Sequence, residues 1–337
     1  MSSEPSSSEV REVTRHVPVL EREVLTALRG EQGGYFLDCT VGGGGHSSAL
    51  LRLSPGQFDF DRCDDSGGCT RDLVRVDAQT AQTTVMALDR DLRAVERARE
   101  RFRGESRIAI HHARFSEIAE IAAGMRFDGI FADLGMSTDQ LYEGRGFSFR
   151  DTEALDMRMD VADATTAASL LNEGSPGELM RLFKIGGVGR EASRIVGEVM
   201  RSRPITSAQQ LSDLVCRVVP RTGGGSHPAT VVFQALRIAV NREFEEIDAL
   251  LAVVPQLIRP GGRLAIICFH SLEDQRVTRQ LRRWAAGDTT PAAKRGPQSE
   301  QPLGRLLTKQ AIEPTQEEVA ANPASRSARL RVFEFFR

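Results

Sequence analysis

Short apolar segments alternate along this chain with segments of helical periodicity, and this alternation restricts the fold more than any other feature. Parallel strands that are joined by helices produce such a pattern. The sequence therefore predicts an α/β fold with a Rossmann-like sheet covered by helices. The five predicted strands are 34–40, 85–91, 107–115, 127–135 and 262–271, and the alternating segment 329–336 is predicted as an edge strand that closes the sheet.

Two long segments interrupt this alternation. Residues 52–84 are polar and exceed the length of a normal connection, so we predict a surface insertion there. Residues 140–226 are mostly helical in pattern and long enough to form a small domain, with capping sequences at Ser175 and Thr206. The segment that follows, 229–251, is predicted as one long amphipathic helix.

These boundaries predict a sheet domain made of residues 16–139 and 227–337, with residues 140–226 as a helical insert that recognises the substrate. Residues 1–15 are rich in Ser and Glu, unlike a signal peptide, and we expect them to be a disordered tail. No apolar stretch is long enough to cross a membrane, so we expect a cytoplasmic protein. The five cysteines are too scattered for a zinc site, and no metal site is predicted.

Charge is distributed unevenly along the chain. The net charge of -2 does not indicate a nucleic-acid-binding protein. Residues 276–337, however, contain twelve Lys or Arg against six Asp or Glu. Such a local excess of positive charge is typical either of a surface that binds a phosphate backbone or of an ordinary solvated basic face.

Four glycines, at positions 42–45, follow the first predicted strand. Glycine there lets the backbone approach a ligand closely. The spacing departs from the dinucleotide pattern because Ser47 stands at the third glycine position, and no P-loop lysine follows. Asp89, at the end of the second strand, can bind ribose hydroxyls if Asp91 caps the next helix instead. The two features together suggest S-adenosylmethionine or a dinucleotide, and the missing glycine favours S-adenosylmethionine.

Longer strings along the chain are more specific than the glycine pattern. They include "DCTVGGGGHS" at Asp38, "DLGMSTDQL" at Asp133, "LDMRMD" at Leu155, "HPATVVFQALRIAVNREFEEI" at His227 and "PGGRLAIICFHSLEDQRV" at Pro260. In order and content these strings closely resemble the bacterial RsmH/MraW family. The resemblance implies a class I S-adenosylmethionine-dependent methyltransferase with an inserted helical domain. Its expected reaction is methylation of the exocyclic N4 of a cytosine in the decoding region of small-subunit (16S) ribosomal RNA.

The resemblance also implies positions for the cofactor site. Gly44, Gly45 and His46 are expected to line the methionine and ribose part of the cofactor. Asp89 is expected to hold the ribose and Phe115 to pack by the adenine, while Asp133 and Gln140 complete the pocket. Taken alone, Phe115 would be read as a core aromatic residue and His46 as a helix cap.

A second set of residues is assigned to catalysis and substrate binding. Asp133 can accept a hydrogen from the reacting amino group, or can serve only to hold the cofactor. Arg145 and Arg150 are expected to contact phosphates, although the Arg-rich C-terminal region is the stronger electrostatic match. Four polar residues in apolar strings are predicted to line the substrate side, although three of them are equally residues that begin or cap helices: His227, Asn241, His270 and Ser271.

The expected partner is small-subunit ribosomal RNA, either free or in the assembled 30S subunit, with no membrane. Both a monomer and a homodimer are compatible with the sequence. Three alternatives remain open at this stage. They are a methyltransferase with another nucleic acid or a protein as acceptor, a ribosome-associated protein that binds the cofactor without catalysis, and a nicotinamide-dependent oxidoreductase.

Overall fold

The computed structural model describes residues 17–53, 60–63, 69–72, 82–149, 153–219, 227–287 and 301–336. The expected disordered tail, most of the predicted insertion and Arg150 lie outside these residues. The strands in chain order are β1 Tyr35–Asp38, β2 Phe60–Cys63, β3 Cys69–Asp72, β4 Thr84–Asp89, β5 Ile108–His112, β6 Phe127–Asp133, β7 Ile258–Cys268, β8 Gly304–Leu306 and β9 Arg329–Phe335.

Seven of these strands form one sheet in the order β5-β4-β1-β6-β7-β9-β8. The first five in this order are parallel, whereas β9 is antiparallel to both of its neighbours. All five strands predicted from apolar segments are confirmed. β2 and β3 form a separate antiparallel pair within the predicted insertion. The result is the doubly wound α/β sheet that the sequence predicts.

The prediction that the C-terminal strand lies at the sheet edge is wrong, because β9 lies between β7 and the three-residue β8. Its alternating pattern does not reflect a solvated face. Arg331 pairs with Asp274, and Glu334 accepts hydrogen bonds from three arginines, Arg29, Arg263 and Arg305. Both faces of β9 are therefore covered, and its polar residues are neutralised by partners instead of water.

Thirteen α-helices are present among the described residues. They are α1 Glu21–Leu28, α2 Gly45–Arg52, α3 Leu92–Arg101, α4 Ile118–Ala122, α5 Thr138–Tyr142, α6 Ala167–Glu173, α7 Pro176–Ile185, α8 Ala192–Ser202, α9 Ala208–Val218, α10 Thr230–Asn241, α11 Glu243–Leu257, α12 Ser271–Ala286 and α13 Gln316–Ala321. No described helix has the length and apolar character that a membrane span requires. Ser175 caps α7 as predicted, whereas α9 is capped by Ser207, one residue after the predicted Thr206.

Apolar side chains form three buried clusters. One lies between the sheet and the helices α4, α11 and α12, and another covers the opposite face with α1, α2 and α3. The third cluster belongs to the helical insert and is built by α6, α7, α8 and α9. It also takes in Val232, Phe233 and Leu236 of α10, so the apolar core of the insert continues past residue 226.

The predicted long helix over 229–251 is two helices, because the chain breaks at Arg242. This residue adopts a left-handed conformation with a φ of 49°. The preceding Asn241 is fully buried and bonds to the backbone of the insert, at Met157 O and Met159 N, each at 2.8 Å. The break lets α10 pack in the core of the insert while α11 packs on the sheet.

Candidate active site

Three aspartates end neighbouring parallel strands, namely Asp38 on β1, Asp89 on β4 and Asp133 on β6. Ligands in doubly wound folds bind beyond these carboxyl ends. A cleft opens there, as expected for a ligand site in such a fold. The lining residues are Cys39, Thr40, Gly42, Asp89, Arg90, Ala94, Arg114, Phe115, Asp133, Leu134, Gly135, Met136, Ser137, Gln140, Met159, Glu243, Glu246, Ile247, Phe269 and Glu273.

Asp38 lies directly behind the cleft and holds the loop that follows β1. Its carboxylate accepts hydrogen bonds from Ser47 Oγ at 2.6 Å and from Thr40 N at 3.1 Å. Burial raises the pKa of Asp38 to about 6, because the two hydrogen bonds offset only part of the desolvation of the charge. The acid thus joins the start of α2 to the strand end.

Asp89 lines the cleft at the end of β4. Its Oδ2 accepts a hydrogen bond from Gly42 N at 3.0 Å, and its Oδ1 accepts one from Asp91 N at 2.9 Å. Asp91 caps α3 by accepting from Arg93 N, which confirms that Asp89 is not needed as the cap. Each carboxylate oxygen of Asp89 keeps a lone pair for a ligand. Burial raises the pKa of Asp89 to about 6.

Asp133 lines the cleft at the end of β6. Its backbone N donates to Thr40 Oγ1 at 2.7 Å, which fixes the strand end against the loop after β1. Its Oδ1 is buried and forms no hydrogen bond with any described residue. Burial and the nearby charges of Asp38 and Glu273 hold the pKa of Asp133 well above its usual value. A buried acceptor without a partner is costly, so this atom is arranged for a ligand.

Phe115 and Gln140 also line the cleft, as the resemblance implied. Phe115 begins a single helical turn directly after β5. Gln140 is buried, and its Nε2 donates to Asp91 Oδ2 at 2.9 Å. Its Oε1 accepts from Ser137 N in a capping box that begins α5. The segment after β6 is therefore attached to the start of α3.

Gly44, Gly45 and His46 are packed against protein on their side-chain faces. A Cβ atom at Gly44 would lie 2.6 Å from the ring of Phe102, and one at Gly45 would lie 2.2 Å from Pro18. His46 is buried, with Nε2 3.0 Å from Val19 O. Of the four glycines, Gly42 is the one that lines the cleft. The close approach that requires glycine at 44 and 45 is thus an approach to the protein's own side chains.

Comparisons with known proteins agree with this geometry. The sequence model of the family described as "MraW methylase family" matches residues 13–67 and 65–336. The chain belongs to the MraW methylase family. The Ribosomal RNA small subunit methyltransferase H of Cyanothece sp. is 40% identical over 328 residues, which cover 96% of each chain. The protein of the same name from Thermomicrobium roseum is 42% identical over 335 residues, covering 95% of this chain and 94% of the relative.

Among solved structures, a methyltransferase homologue from Pyrococcus horikoshii covers 94% of this chain and 66% of its own, with a TM-score of 0.40 and 11% identity. This similarity is too low to support a conclusion about the protein. The family and the strand order, with an antiparallel β9 beside β7, establish a class I methyltransferase fold. The methyl donor of this methylase is S-adenosylmethionine.

The cleft suits a ligand with positive charge. Five carboxylates line it, from Asp89, Asp133, Glu243, Glu246 and Glu273, against the guanidinium groups of Arg90 and Arg114. S-adenosylmethionine carries a sulfonium and an ammonium, and a nearby cation favours the ionised form of buried acids. The free acceptors on Asp89 and Asp133 match its hydroxyl and amino donors. The residues of the methylase therefore fit this cofactor.

Two residues predicted to meet the substrate have structural roles in this methylase instead. Arg145 is only 7% exposed, and its guanidinium bonds to Asp91 at 2.5 Å, to Glu143 at 2.6 Å and to two backbone carbonyls. It cannot reach a phosphate without leaving these partners. Asn241 is fully buried, and its side-chain amide forms its recorded hydrogen bonds with backbone atoms, at Met157, Met159 and Arg237. The side chain of Asn241 forms hydrogen bonds with buried backbone groups, which explains why a polar residue occurs within this apolar string.

The other predicted substrate residues lie near helix starts. His227 stacks on Phe149 with ring centroids 4.4 Å apart, and its Nδ1 accepts from Ala229 N, just before the start of α10. His270 is the N-cap of α12, with Nδ1 accepting from Glu273 N at 3.3 Å. Ser271 is the exposed first residue of α12. None of the three lines the cleft within the described residues, and the capping alternative is confirmed for His270.

A cluster of ionisable groups lies at the far wall of the cleft, where Glu243, His270 and Glu273 bring one ligand atom each within 4.8 Å. No metal site was predicted, yet these residue types can bind metals. The hydrogen bond to Nδ1 places the proton of a neutral His270 on Nε2, which faces Glu273 Oε1 at 3.0 Å. Arg237 already binds Glu243 through both oxygens, at 2.8 and 3.0 Å. Arg237 therefore occupies both carboxylate oxygens of Glu243, which disfavours metal ligation by this cluster.

The sequence analysis missed Glu243, Glu273 and Thr40. Glu273 accepts hydrogen bonds from the backbone of Phe269 and His270, and its pKa is lowered by His270 and Arg237 despite its burial. The strings "FHSLED" and "NREFEEI" contained both glutamates, but their acidic residues resemble ordinary first-turn acids of a helix. For Glu273 the available signal is its position in the helix that starts directly after β7, whereas for Glu243 the sequence offered no such signal.

Proposed function

We propose that this protein transfers a methyl group from S-adenosylmethionine to the exocyclic N4 of a cytidine in the decoding region of small-subunit ribosomal RNA. The names of the curated relatives support ribosomal RNA of the small subunit as the substrate class. Cytosine N4 as the acceptor is supported by the unpaired acceptor on Asp133. The place of action would then be the cytoplasm, where the small subunit is assembled.

The observation that carries the proposal is the buried Oδ1 of Asp133, which has no hydrogen-bond partner in the described chain. An exocyclic amine carries two hydrogens and a lone pair that is delocalised into its ring. A carboxylate that accepts one of these hydrogens helps to localise the lone pair on nitrogen as it attacks. The hydrogen bond from Asp133 N to Thr40 holds this carboxylate in place. The product amine then loses its extra proton without a strong base.

The cofactor supplies an electrophilic methyl group on sulfur. Asp89 is proposed to hold the ribose hydroxyls and Phe115 to pack by the adenine. The backbone of Gly44, Gly45 and His46 and the side chain of Gln140 are proposed to complete the binding site. The contribution of such residues is orientation, which can lower a barrier by about 7 to 11 kcal/mol. The target base must also leave its stack to enter the cleft.

The proposal is tested by methyl transfer from isotope-labelled S-adenosylmethionine. Three substrates are compared, namely assembled small subunits, naked small-subunit ribosomal RNA and unrelated DNA, with nucleosides identified by mass spectrometry. We expect N4-methylcytidine with subunits or ribosomal RNA and none with DNA. Label on DNA, on a protein, or on another atom of the ribosomal RNA would overturn the assignment.

The role of Asp133 is tested separately with Asp133→Asn, which keeps the shape of the side chain but replaces one acceptor oxygen with an amide donor. We expect kcat to fall by about 10²-fold to 10³-fold while the affinity for S-adenosylmethionine changes by only a few-fold. Asp163→Asn, which alters an acid of the insert that pairs with Arg114, is the matched control. Loss of cofactor binding with unchanged kcat at saturation would assign Asp133 to the cofactor alone.

A further inference from the structure

The arginines that contribute to the excess of positive charge near the C-terminus are of two kinds. Arg305, Arg329 and Arg331 lie on or next to the sheet and pair with Glu334 or Asp274. Their charge is neutralised within the fold. The arginines of α12 differ, because Arg279, Arg282 and Arg283 are exposed and pair with no carboxylate in the described part of the chain.

The unpaired arginines share one face of α12. Positions 279, 282 and 283 are three and four residues apart, so they lie together on the helix surface. The opposite face is buried and packs through Val277, Leu281 and Trp284. The two acids of the helix, Glu273 and Asp274, are buried in its first turn. The exposed face of α12 therefore presents arginines with no acid among them.

Arg276 extends this face toward the cleft. Its guanidinium lies 4.6 Å from the ring centroid of Phe244 and bonds to Asp248 at 2.5 Å, which holds it in position. Glu273, one turn earlier, lines the cleft. The helix rises 1.5 Å per residue, so the four arginines extend over about 10 Å, beginning about 5 Å from Glu273.

The start of α12 is also where the helical insert meets the sheet. Gly187, after α7, has a φ of 91°, and a Cβ atom there would lie 3.3 Å from Leu272 of α12. RNA bound in the cleft beside Glu273 would therefore lie close to the start of α12. A favourable interaction with the helix dipole would explain arginines only in the last turn, but Arg279 lies about two turns before the end of α12.

We propose that Arg279, Arg282 and Arg283 form a track for the phosphate backbone of the RNA that delivers the target nucleotide to the cleft. This inference rests on the proposed function. Guanidinium groups bind phosphate through paired hydrogen bonds, and each phosphate contact releases counterions. The track supplies affinity without base specificity, so it positions the strand while the cleft selects the base.

The test measures binding of the full-length protein to transcribed small-subunit ribosomal RNA as a function of salt concentration. The variant is Arg279→Gln/Arg282→Gln/Arg283→Gln. The control variant, Arg29→Gln/Arg103→Gln/Arg259→Gln, removes the same charge from arginines outside the helical insert that each pair with an acid. Affinity for S-adenosylmethionine is measured on all three proteins, since neither variant should change it.

We expect the track variant to bind at least about tenfold more weakly and to lose about two from the slope of log affinity against log salt. The control should change affinity by less than about threefold. An unchanged slope in the track variant, with methyl transfer to ribosomal RNA intact in the wild type, would overturn the track and leave the proposed function standing. No binding of ribosomal RNA by the wild type would overturn both.

Discussion

Asp91 and Arg145 form a buried ion pair with 2.5 Å between Oδ2 and Nη2, their side chains being only 2% and 7% exposed. Asp91 caps the helix that follows the strand ending in Asp89, and Arg145 lies in the segment that leads into the helical insert. Gln140 donates to the same carboxylate oxygen. The Asp91 carboxylate thus joins the cofactor side of the cleft to the insert, in addition to ion pairs such as that between Arg114 and Asp163.

Breaking this pair should be costly. We expect Arg145→Met to lower the free energy of unfolding by about 3 to 5 kcal/mol, because it leaves the Asp91 carboxylate buried without its cation. Urea denaturation measures the loss. Arg93→Met is the matched control, since Arg93 is 53% exposed and pairs with Glu143 at the surface, where an ion pair contributes less than about 1 kcal/mol. Equal losses in the two variants would show that the buried pair contributes no more to the free energy of unfolding than the exposed pair does.

Asp89→Asn should weaken the binding of S-adenosylmethionine about tenfold to 150-fold, because a hydrogen bond to a charged group contributes about 1.5 to 3 kcal/mol. Calorimetric titration at pH 8 measures this. The pKa of Asp89 is about 6, so the carboxylate ionises as pH rises through that value. Wild-type affinity should therefore increase between pH 5 and pH 7, and the variant should show a flatter profile. Identical profiles would remove Asp89 from the site.

Asp38 should make the protein less stable as pH rises from about 4 to about 6. Its folded pKa of about 6 exceeds the ordinary value of 3.8, so the folded state binds more protons than the unfolded state in this interval. The free energy of unfolding then falls with rising pH, by about 3 kcal/mol for a shift of this size. Asp38→Asn should lose this part of the pH dependence in denaturation curves. Parallel curves for the variant and the wild type would contradict the burial of a charged Asp38.

Gly44→Ala should cost more than the same change at Gly124. Both glycines have positive φ, 75° and 82°, but an added Cβ meets Phe102 at 2.6 Å in the first case and nothing within 4 Å in the second. We expect about 1 kcal/mol for Gly124→Ala and about 2 to 3 kcal/mol for Gly44→Ala. Phe102→Leu should recover part of the difference in a double-mutant cycle. Equal costs would leave only cofactor contact as a reason for glycine at position 44.

The sequence predicted the positions of the five parallel strands well, because buried parallel strands leave short apolar segments that few other structures produce. It also assigned different roles to Asp89 and Asp91. The residue that caps a helix and the residue that binds a ligand at a strand end occupy different positions, so Asp91 could be the cap while Asp89 stayed available for the ligand. The sequence predicted that Arg145 and Asn241 line the substrate side, whereas the structure places both in buried contacts with protein groups. A polar residue in an apolar string can face a ligand or satisfy the backbone, and the partners of Asn241, Met157 and Met159, lie more than 80 residues away.

The glycine loop shows a similar limit. Glycine indicates that something approaches closely, but not whether that is a ligand or a side chain. The ring of Phe102 and the ring of Pro18 come from segments that the loop meets only after folding. Glu243 was missed for a related reason, because the break at Arg242 that brings it to the cleft has no proline or glycine to mark it.

The connection between α2 and β4 joins the sheet at the end remote from the chemistry. β4 begins at Thr84 and reaches the cleft only at Asp89, about 17 Å further along the strand. The point at which the chain enters β4 is therefore remote from the reaction centre. The same position is a natural attachment point for a fluorophore or an affinity handle, through which the protein could be followed on its substrate while it works.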